Sequence, residues 1–500
     1  MMDLLNNLIL GFGVAISPMN LLYCLSGALI GTLIGVLPGI GPAATIAMLL
    51  PMTFKVSPVS ALIMLAGIYY GAMYGGSTTS ILVNIPGEAA SVVTCLDGYQ
   101  MARQGRAGPA LAISALGSFF AGSVATLIIT LFAPPLAEFA LKFGPAEYFS
   151  MMVLGLMAAV VLARGSLLKA IAMIVLGLFL GLIGTDVNSA TRRFTFGITD
   201  LSDGISFVVI AMGMFGFAEI ITNLEVKEKR EVFTSGVRGL MPTRADIKAS
   251  WKAVLRGTVL GSLLGILPGG GAVLSSFASY TLEKRLSSDP SRFGKGAIEG
   301  VAGPESANNA GAQTSFIPLL TLGIPSNVVM ALMLGAMTIQ GIIPGPRVMV
   351  ERPELFWGMV SSMWVGNLML LMLNLPLIGI WIRLLRVPYR FLFPAILLFI
   401  SIGAYSLSNS PFDVGLAAGF GLLGYVFTKL DCEPAPLLLG FILGPMMEEN
   451  MRRAMMISRG DPTVFLTRPI SLAMLLMAAF LLLLTIAPAV QHKREEAFQE

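Results

Sequence analysis

Long apolar stretches recur along the whole chain, separated by short polar connections. A helix of roughly 20 apolar residues is long enough to cross the hydrocarbon core of a bilayer. With the Gly- and Pro-interrupted pieces, the count predicts roughly 11 or 12 crossings. The sequence therefore predicts an all-α integral membrane protein with broken helices or re-entrant hairpins. The continuous stretches lie near residues 18–37, 109–133, 145–163, 167–184, 204–222, 355–382, 391–407 and 467–490, and the interrupted pieces at 38–84, 257–281 and 313–345.

The composition indicates that much of the surface faces lipid. Hydrophobic residues make up 55% of the 500 residues and charged residues 12%, and the mean hydropathy is +0.82. These values exceed what a water-soluble domain needs for its core. The formal net charge is only +4, and Lys and Arg lie mainly in the connections, as cytoplasmic retention of positive loops requires. Nucleic-acid binding therefore has no support.

The start of the chain and its cysteines exclude further classes. The chain begins with MMD and has its first basic residue at Lys55, so the charged start of a cleavable signal peptide is missing and we expect the first apolar segment to be retained. Cys24, Cys95 and Cys432 are scattered and lack CxxC spacing, which argues against a disulfide framework or a zinc site. We expect these cysteines to be packing residues.

A short motif occurs twice along the chain. Residues 31–41 read GTLIGVLPGIG and residues 261–271 read GSLLGILPGGG, with seven of eleven positions identical. Composition alone would give roughly one or two matches in such a window, so the excess indicates an internal duplication. Duplicated halves with broken helices are typical of secondary transporters.

A second pair of similar segments follows the two copies. GGSTTS at 75–80 resembles AGAQTS at 310–315, and each is followed by an Ile-Pro step, at Ile85-Pro86 and at Ile324-Pro325. The order and spacing agree with the first pair, although the register slips by four residues. We therefore predict two structural repeats and expect them to be inverted. The predicted organisation is a first membrane repeat at 1–223, a basic cytoplasmic linker at 224–256, a second membrane repeat at 257–466, and a C-terminal transmembrane helix with a polar tail at 467–500.

The linker contains a candidate interfacial helix. Thr243 and Asp246 have the spacing of a capping box. In the helix that follows, Trp251 and Leu255 can lie on lipid with Val254 while Lys248 and Lys252 stay in water. A merely solvated loop is the alternative, because a single short amphipathic window is a weak signal.

The Pro-Gly steps at 38–39 and 268–269 end apolar runs that already have nearly the depth of a membrane. Proline removes an N–H group and glycine allows positive φ, so each helix should break there. Exposed main chain cannot face lipid, and the breaks should therefore be buried or line a wet cavity at a central site. Pro42, directly after Gly41, suits the first turn of a new helix whose free N–H groups would face an anion. Close-packing kinks without a ligand are the alternative.

Polar side chains cluster after both breaks. Hydroxyl and amide groups can donate to carboxylate oxygens, and with backbone carbonyls they can supply oxygen ligands for Na⁺. A single Ser or Thr in a membrane helix commonly bonds its own backbone, so the prediction depends on clustering and duplication. The clusters are Ser77, Thr78, Thr79, Ser80 and Asn84 in the first half, and Asn308, Asn309, Gln313, Thr314, Ser315, Ser326 and Asn327 in the second.

Two absences narrow the mechanism. The only histidine, His492, lies in the polar tail, which excludes a histidine proton relay and makes a His-ligated metal site implausible. The sequence has no GxxxxGK[ST] phosphate loop, so the energy should come from an ion gradient or a partner. We expect most acidic residues at membrane depth to lie at helix ends, where a charge costs little. The candidates for ion coupling are Glu88, Asp97, Glu219, Glu305 and Asp413.

Several segments together resemble the large membrane subunit of tripartite tricarboxylate transporters, the TctA family. They are the two Pro-Gly motifs, GGSTTSILVNIPGE at 75–88, TLGIPSN at 321–327 and LGPMMEENMRRAMMISRGD at 443–461. The resemblance extends over roughly residues 15–470. It implies a bacterial inner-membrane permease that works with a small membrane subunit and a periplasmic solute-binding protein. It also implies import of citrate-like tricarboxylates or other carboxylates, coupled to Na⁺ or H⁺, with no further cofactor.

The resemblance also selects site residues. Ser326 stands where we would expect a glycine after Ile324-Pro325. This departure makes the match of the second Ile-Pro turn to the family pattern less secure. Glu448 and Glu449 belong to a family motif, and we expect them to pair with Arg452 or Arg453 at a helix end. The substrate-binding candidates are Ser77, Thr78, Thr79, Ser80, Asn84, Pro86, Gly87, Thr314, Ser315, Pro325, Ser326 and Asn327, and the backbone or ion-binding candidates are Gly39, Gly41, Gly269 and Gly271.

The residues distinguish a transporter from a channel and from an intramembrane enzyme to different degrees. A carboxylate held without an intramembrane Arg or Lys needs helix N-termini, neutral donors and a bound cation, which predicts Na⁺ dependence more than proton dependence. A passive anion channel would also fit duplicated broken helices. An intramembrane enzyme needs a nucleophile with a base, or metal ligands, and the sequence shows neither constellation. We therefore expect a transporter and no enzyme.

Overall fold

The computed structural model describes residues 2–37, 41–162, 166–186, 189–225, 239–267, 271–385 and 389–486, and this part of the chain is mostly helical. The first ten helices are α1 (Met2–Ala15), α2 (Pro18–Val36), α3 (Pro42–Leu49), α4 (Pro58–Val83), α5 (Val92–Arg103), α6 (Ala107–Ala140), α7 (Pro145–Leu162), α8 (Leu167–Gly181), α9 (Phe207–Ala211) and α10 (Ala218–Glu225).

The remaining helices begin at the capping box in the linker. They are α11 (Arg244–Ile266), α12 (Gly271–Leu286), α13 (Glu299–Thr314), α14 (Phe316–Leu322), α15 (Val328–Ile339), α16 (Val348–Glu351), α17 (Pro353–Asn374), α18 (Ile378–Leu384), α19 (Tyr389–Ser408), α20 (Pro411–Lys429), α21 (Pro434–Ile457), α22 (Val464–Thr467) and α23 (Pro469–Ile486).

Short irregular elements connect these helices. A π-helical turn at Met212–Phe217 joins α9 to α10. An antiparallel pair of two-residue strands, β1 (Gly184–Thr185) and β2 (Arg192–Arg193), pairs Gly184 with Arg193. Short 3₁₀ segments lie at Leu50–Lys55, Ala89–Ser91, Thr199–Leu201 and Pro290–Arg292.

Six described segments are long and apolar enough to cross a membrane, and shorter apolar helices accompany them. This confirms the prediction of an all-α membrane protein, while the number of crossings and their orientation stay predictions. The six segments are Pro18–Val36, Pro58–Val83, Ala107–Ala140, Phe207–Glu225, Pro353–Asn374 and Pro411–Lys429.

Two pairs of closely packed helices form the centre of the structure. The first pair is α2 with α4, and the second pair is α11 with α13. In the first pair, a Cβ atom on Gly27, Gly31 or Gly35 would clash with the α4 backbone at three positions spaced one turn apart. The contacts advance in the same direction along both helices, so α2 and α4 run parallel. Main chains this close require small residues, as in membrane helix pairs generally.

The second pair repeats this packing with the glycines of the second motif. Added Cβ atoms on Gly257, Gly261 and Gly265 would clash with the α13 backbone at residues 303, 307 and 311. Each of these glycines follows its counterpart in α2 by the same number of positions. The two pairs therefore share a packing register. The common descent of the two halves, their inverted arrangement and the four-part domain division stay predictions.

Both motif copies end a helix at the same position. α2 ends at Val36 and α3 starts at Pro42, while α11 ends at Ile266 and α12 starts at Gly271. The start of a helix at Pro42 is confirmed. The residues at 38–40 and 268–270, which include Gly39 and Gly269, lie outside the described residues.

The end of the linker differs from the expectation of a short interfacial helix. The capping box forms, since Thr243 Oγ1 accepts from Asp246 N at 3.2 Å and Asp246 Oδ2 accepts from Thr243 N at 3.0 Å. The helix it starts, however, is the 23-residue α11, which continues to Ile266. The second part of α11 is rich in glycine and would not be stable as an isolated helix. Tertiary contact with α13 stabilises it. Trp251 on its first part is 48% exposed.

We predict that Gly261→Ala destabilises the second pair, because the new methyl group would meet the Ala307 backbone. Overpacking of this kind costs about 1–3 kcal/mol, so the melting temperature of the purified protein should fall. Gly415→Ala on α20 is the matched control, since no heavy atom lies within 4 Å of an added Cβ there. Equal melting temperatures for the two variants would contradict the proposed role of backbone contact.

Candidate functional site

The segment after α4 folds back over the end of the first pair. An added Cβ on Gly87 would clash with Gly35 O and come within 2.5 Å of Gly76 Cα. Thr79 Oγ1 donates towards Val36 O at 2.9 Å and Gly35 O at 3.2 Å. A hydroxyl of α4 therefore satisfies carbonyls that the end of α2 leaves without helical partners. Two of the predicted site residues, Thr79 and Gly87, thus have structural contacts at the first helix break.

A polar cluster in the second half gathers four predicted residues at the start of α15. Asn327 caps α15, with its Oδ1 accepting from Met330 N at 3.0 Å. Its Nδ2 donates to Ser315 Oγ at 3.2 Å and to Tyr69 Oη at 3.4 Å. The cluster, which also includes Ser326 and Gly271, connects the second break to α4 of the first half. Ser326 Oγ lies 3.4 Å from Ser315 O, and a Cβ on Gly271, whose φ is +52°, would lie 3.2 Å from Asn327 Nδ2.

Other predicted residues lie apart from this cluster. Thr314 Oγ1 donates to Ala310 O at 3.0 Å within its own helix. This is the common behaviour of a single hydroxyl in a membrane helix, which was the alternative to ligand binding. Thr78 and Ser80 are buried on α4, whereas Asn84 ends α4 in the left-handed region with φ +59° and is exposed. Among the residues described, no hydrogen bond joins Asn84 to the Ser315–Asn327 cluster.

Sequence analysis named Glu305 and Asn308 of α13 as candidates but missed which residues they contact. Glu305 on α13 accepts hydrogen bonds from Ser77 of α4 and Thr94 of α5. Asn308 Nδ2 donates to Glu88 Oε1 at 3.3 Å. Ser77 was a candidate for substrate contact, yet its hydroxyl meets a protein carboxylate. Thr94 and Tyr69 carry no motif, and only their position as polar groups in apolar surroundings could have singled them out.

The expectation that most membrane-depth acids lie at helix ends is wrong for three of the five. Asp97, Glu219 and Glu305 lie inside helical segments, and Asp97 and Glu305 are fully buried. Asp97 is satisfied by donors, since it accepts from the backbone N–H groups of residues 296 and 297 at 2.8 Å each and from Tyr280 Oη at 3.0 Å. Glu88 and Asp413 do lie at helix starts, as expected.

Glu219 occupies the place expected of an anion at the start of α3. Gly41 N donates to Glu219 Oε1 at 3.0 Å. Negative charge at a helix N-terminus is favourable, because the free N–H groups and the helix dipole attract it. The carboxylate reaches this position from the helix that follows the π-helical turn at Met212–Phe217, and π-helical turns are frequent at functional sites.

Glu448 and Glu449 form the expected ion pairs, although these lie inside α21 and not at a helix end. Glu448 pairs with Arg452, with 2.6 Å between Oε1 and the guanidinium, and Glu449 pairs with Arg453. Arg193 of β2 also pairs with Glu448. A cavity of about 270 Å³ lies beside this group, and none of the predicted site residues lines it. Its lining residues are Phe149, Leu178, Leu182, Arg193, Gly444, Met447, Glu448 and Met451.

Comparison with known proteins shows the family of this chain. A family model described as "Tripartite tricarboxylate transporter TctA family" matches residues 21–439. The chain belongs to the TctA family. TctA proteins are components of transporters, so membership supports a transport function and not an enzymatic one.

Two relatives of this TctA-family chain come from Agrobacterium vitis. The chain is 59% identical over 500 residues to an "Uncharacterized 52.8 kDa protein in TAR-I ttuC' 3'region", and the match covers all of both chains. It is 62% identical over 240 residues to an "Uncharacterized protein in TAR-II ttuC' 3'region", which covers 48% of this chain and 99% of the relative. No solved structure matches the chain.

Proposed function

We propose that this chain is the membrane permease of a tripartite secondary transporter that imports small organic anions, either tri- or dicarboxylates such as citrate. In this proposal a periplasmic binding protein delivers the solute, a small membrane subunit completes the assembly in the bacterial inner membrane, and a Na⁺ or H⁺ gradient supplies the energy. The observation that carries the proposal is the family match over residues 21–439. Solute identity and coupling ion are parts of the proposal.

The two helix breaks support binding of a carboxylate between the packed pairs. α3, α12 and α15 all start close to predicted site residues, and helix starts carry free N–H groups. Asn327 Nδ2 lies beside the start of α12 and is partly accessible. We propose that the solute carboxylate is held by these N–H groups and by Asn327, and that Asn84 contributes from the first half.

A passive anion channel is the alternative function. Both functions allow solute to cross, but only a transporter accumulates it against a gradient. The test is uptake of labelled di- and tricarboxylates by proteoliposomes that contain the complete assembly, with Na⁺ and proton gradients imposed separately. We expect concentrative uptake that stops when the driving gradient is dissipated. Uptake that only equilibrates the solute, with or without gradients, would favour the channel.

We predict that Asn327→Asp weakens solute binding while the protein stays folded. Aspartate also caps helices well, so α15 keeps its cap, but the Nδ2 donor becomes a negative oxygen that repels a carboxylate. Loss of a hydrogen bond to a charged group costs about 1.5–3 kcal/mol, which corresponds to about a tenfold or larger rise in KM for uptake. Asn450→Asp on α21 adds the same charge away from the cluster and should leave KM unchanged. An unchanged KM for Asn327→Asp would remove Asn327 from the site.

We predict that Glu219→Gln lowers the KM for the solute. The Glu219 carboxylate occupies the Gly41 N–H group, so an incoming carboxylate must compete with it and meets its repulsion. Glutamine can keep the hydrogen bond without the charge. Glu138→Gln, at an exposed position on α6, is the matched control for uptake kinetics. A KM for Glu219→Gln that equals the control value would contradict competition at α3.

A further inference from the structure

Two buried carboxylates lie where α13 contacts the first half of the chain. Glu305 is 0% exposed inside α13, and Glu88, directly before the 3₁₀ turn Ala89–Ser91, is 8% exposed. The two groups interact electrostatically. Within the described ranges, neither carboxylate forms a salt bridge with Lys, Arg or His. Two neighbouring buried negative charges without a cation are unfavourable, so at least one charge should be neutralised.

The contacts of Ser77 provide a place for a proton on Glu305. Ser77 Oγ lies 2.9 Å from Met73 O and also contacts Glu305 Oε2. A hydroxyl has one proton, and serine in a helix commonly donates it to the carbonyl four residues earlier. When Ser77 donates to Met73, the contact with Glu305 is a hydrogen bond only if Glu305 supplies the proton. Thr94 donates to the other oxygen, Glu305 Oε1.

Asn308 provides a second observation beside the pair, because one of its buried polar atoms lacks a partner among the residues described. Its side chain is 0% exposed, and its Nδ2 lies 3.3 Å from Glu88 Oε1. Its Oδ1 is buried and has no hydrogen-bond partner in the described part of the chain. Buried polar atoms normally have a partner. A half-turn of the amide would place Oδ1 where it accepts a proton from Glu88, so this amide is compatible with Glu88 in either protonation state.

We propose that Glu88 and Glu305 together bind one proton and that this proton crosses the membrane with the solute. One proton leaves a single negative charge on the pair, which removes the repulsion between two carboxylates. Asn84 in the same connection as Glu88 is exposed, and Ser77 and Thr94 connect Glu305 to α4 and α5, which pack against α13. The inference depends on the proposed transport function and names its coupling ion.

Other charged and titratable groups near the pair do not supply a positive charge. The Tyr74 hydroxyl of α4 and the Cys95 thiol of α5 interact with Glu305, and Cys95 also interacts with Glu88. Tyr69 of α4 interacts with Glu88. Two further pairs of groups on helices packed against α13 are matched with each other: Arg256 of α11 with Glu283 of α12, and Tyr280 of α12 with Asp97 of α5.

Infrared spectroscopy of the purified full-length protein tests the bound proton without any transport. We expect the carbonyl-stretch band of a protonated carboxylic acid in the wild type, lost on alkaline titration and absent in Glu305→Gln. In Glu88→Gln the neighbouring charge is gone, so Glu305 should release its proton at lower pH. Glu88→Gln keeps the test decisive if Glu305→Gln fails to fold. Glu138→Gln is the matched control, and a band unchanged in both pair variants would overturn the proposal.

Transport by the complete assembly in proteoliposomes tests coupling. Wild type should carry protons inward with the solute, detected by a pH-sensitive dye in the lumen, and Glu305→Gln should lower this proton flux by about tenfold or more while solute exchange across equal gradients continues. Solute uptake that carries no protons and follows only a Na⁺ gradient would overturn proton coupling. Absence of all uptake by the wild type would contradict the proposed function instead, and the infrared result would still decide whether the pair binds a proton.

Discussion

Direct contact between the main chains of paired helices is the constraint on which the rest of the structure depends. In lipid the hydrophobic effect gives little attraction between helices, so association depends on close packing and interhelical hydrogen bonds. The glycines of α2 and α11 meet this requirement in the same register. Both helices end where the glycine contact ends, so the packing also determines where polar main chain becomes available.

Polar side chains around these ends divide into two groups. Thr79 and Ser315 donate to carbonyls of the packed pairs, Thr79 to Val36 O at 2.9 Å and Ser315 to Gly265 O at 3.2 Å. These buried hydroxyls satisfy main-chain carbonyls that lipid could not satisfy. Asn84 and Asn327 lie at helix ends, where Asn84 is exposed and Asn327 is partly exposed. The distinction matters for the proposed function, because the exposed Asn84 can meet a solute directly, whereas Asn327 must first release Ser315 or Tyr69.

Helix α13 carries the fully buried carboxylate of Glu305. Its sequence, EGVAGPESANNAGAQT, is polar, yet nearly all of it is buried. A helix of this kind is stable only where neighbouring helices supply hydrogen-bond partners, and α4, α5 and α6 do so through Ser77, Thr94 and Ser118. Intramembrane acids are rare because they are costly, and they usually mark ion or substrate pathways. The buried Glu305 therefore connects the packing of the two halves with the proposed coupling.

Local pattern and motif were sufficient to predict the helical membrane class, the TctA family, the capping box at Thr243 and the pairing of Glu448 with Arg452. Each depends on residues a few positions apart or on a motif read along the chain. The short helix predicted after the capping box is instead the first part of α11, because contact with α13, far along the chain, extends the helix to Ile266. Its position at the membrane surface stays a prediction.

Tertiary structure alone decided that Ser77 meets Glu305, that Asn308 meets Glu88, and that Glu219 caps Gly41 N at 3.0 Å. The partners in these contacts are separated by 178 to 228 positions. The periodicity of a helix shows which face is apolar but not which distant helix covers it. The sequence by itself therefore identified most of the polar groups near the helix breaks, and packing between helices decided which of them have structural partners.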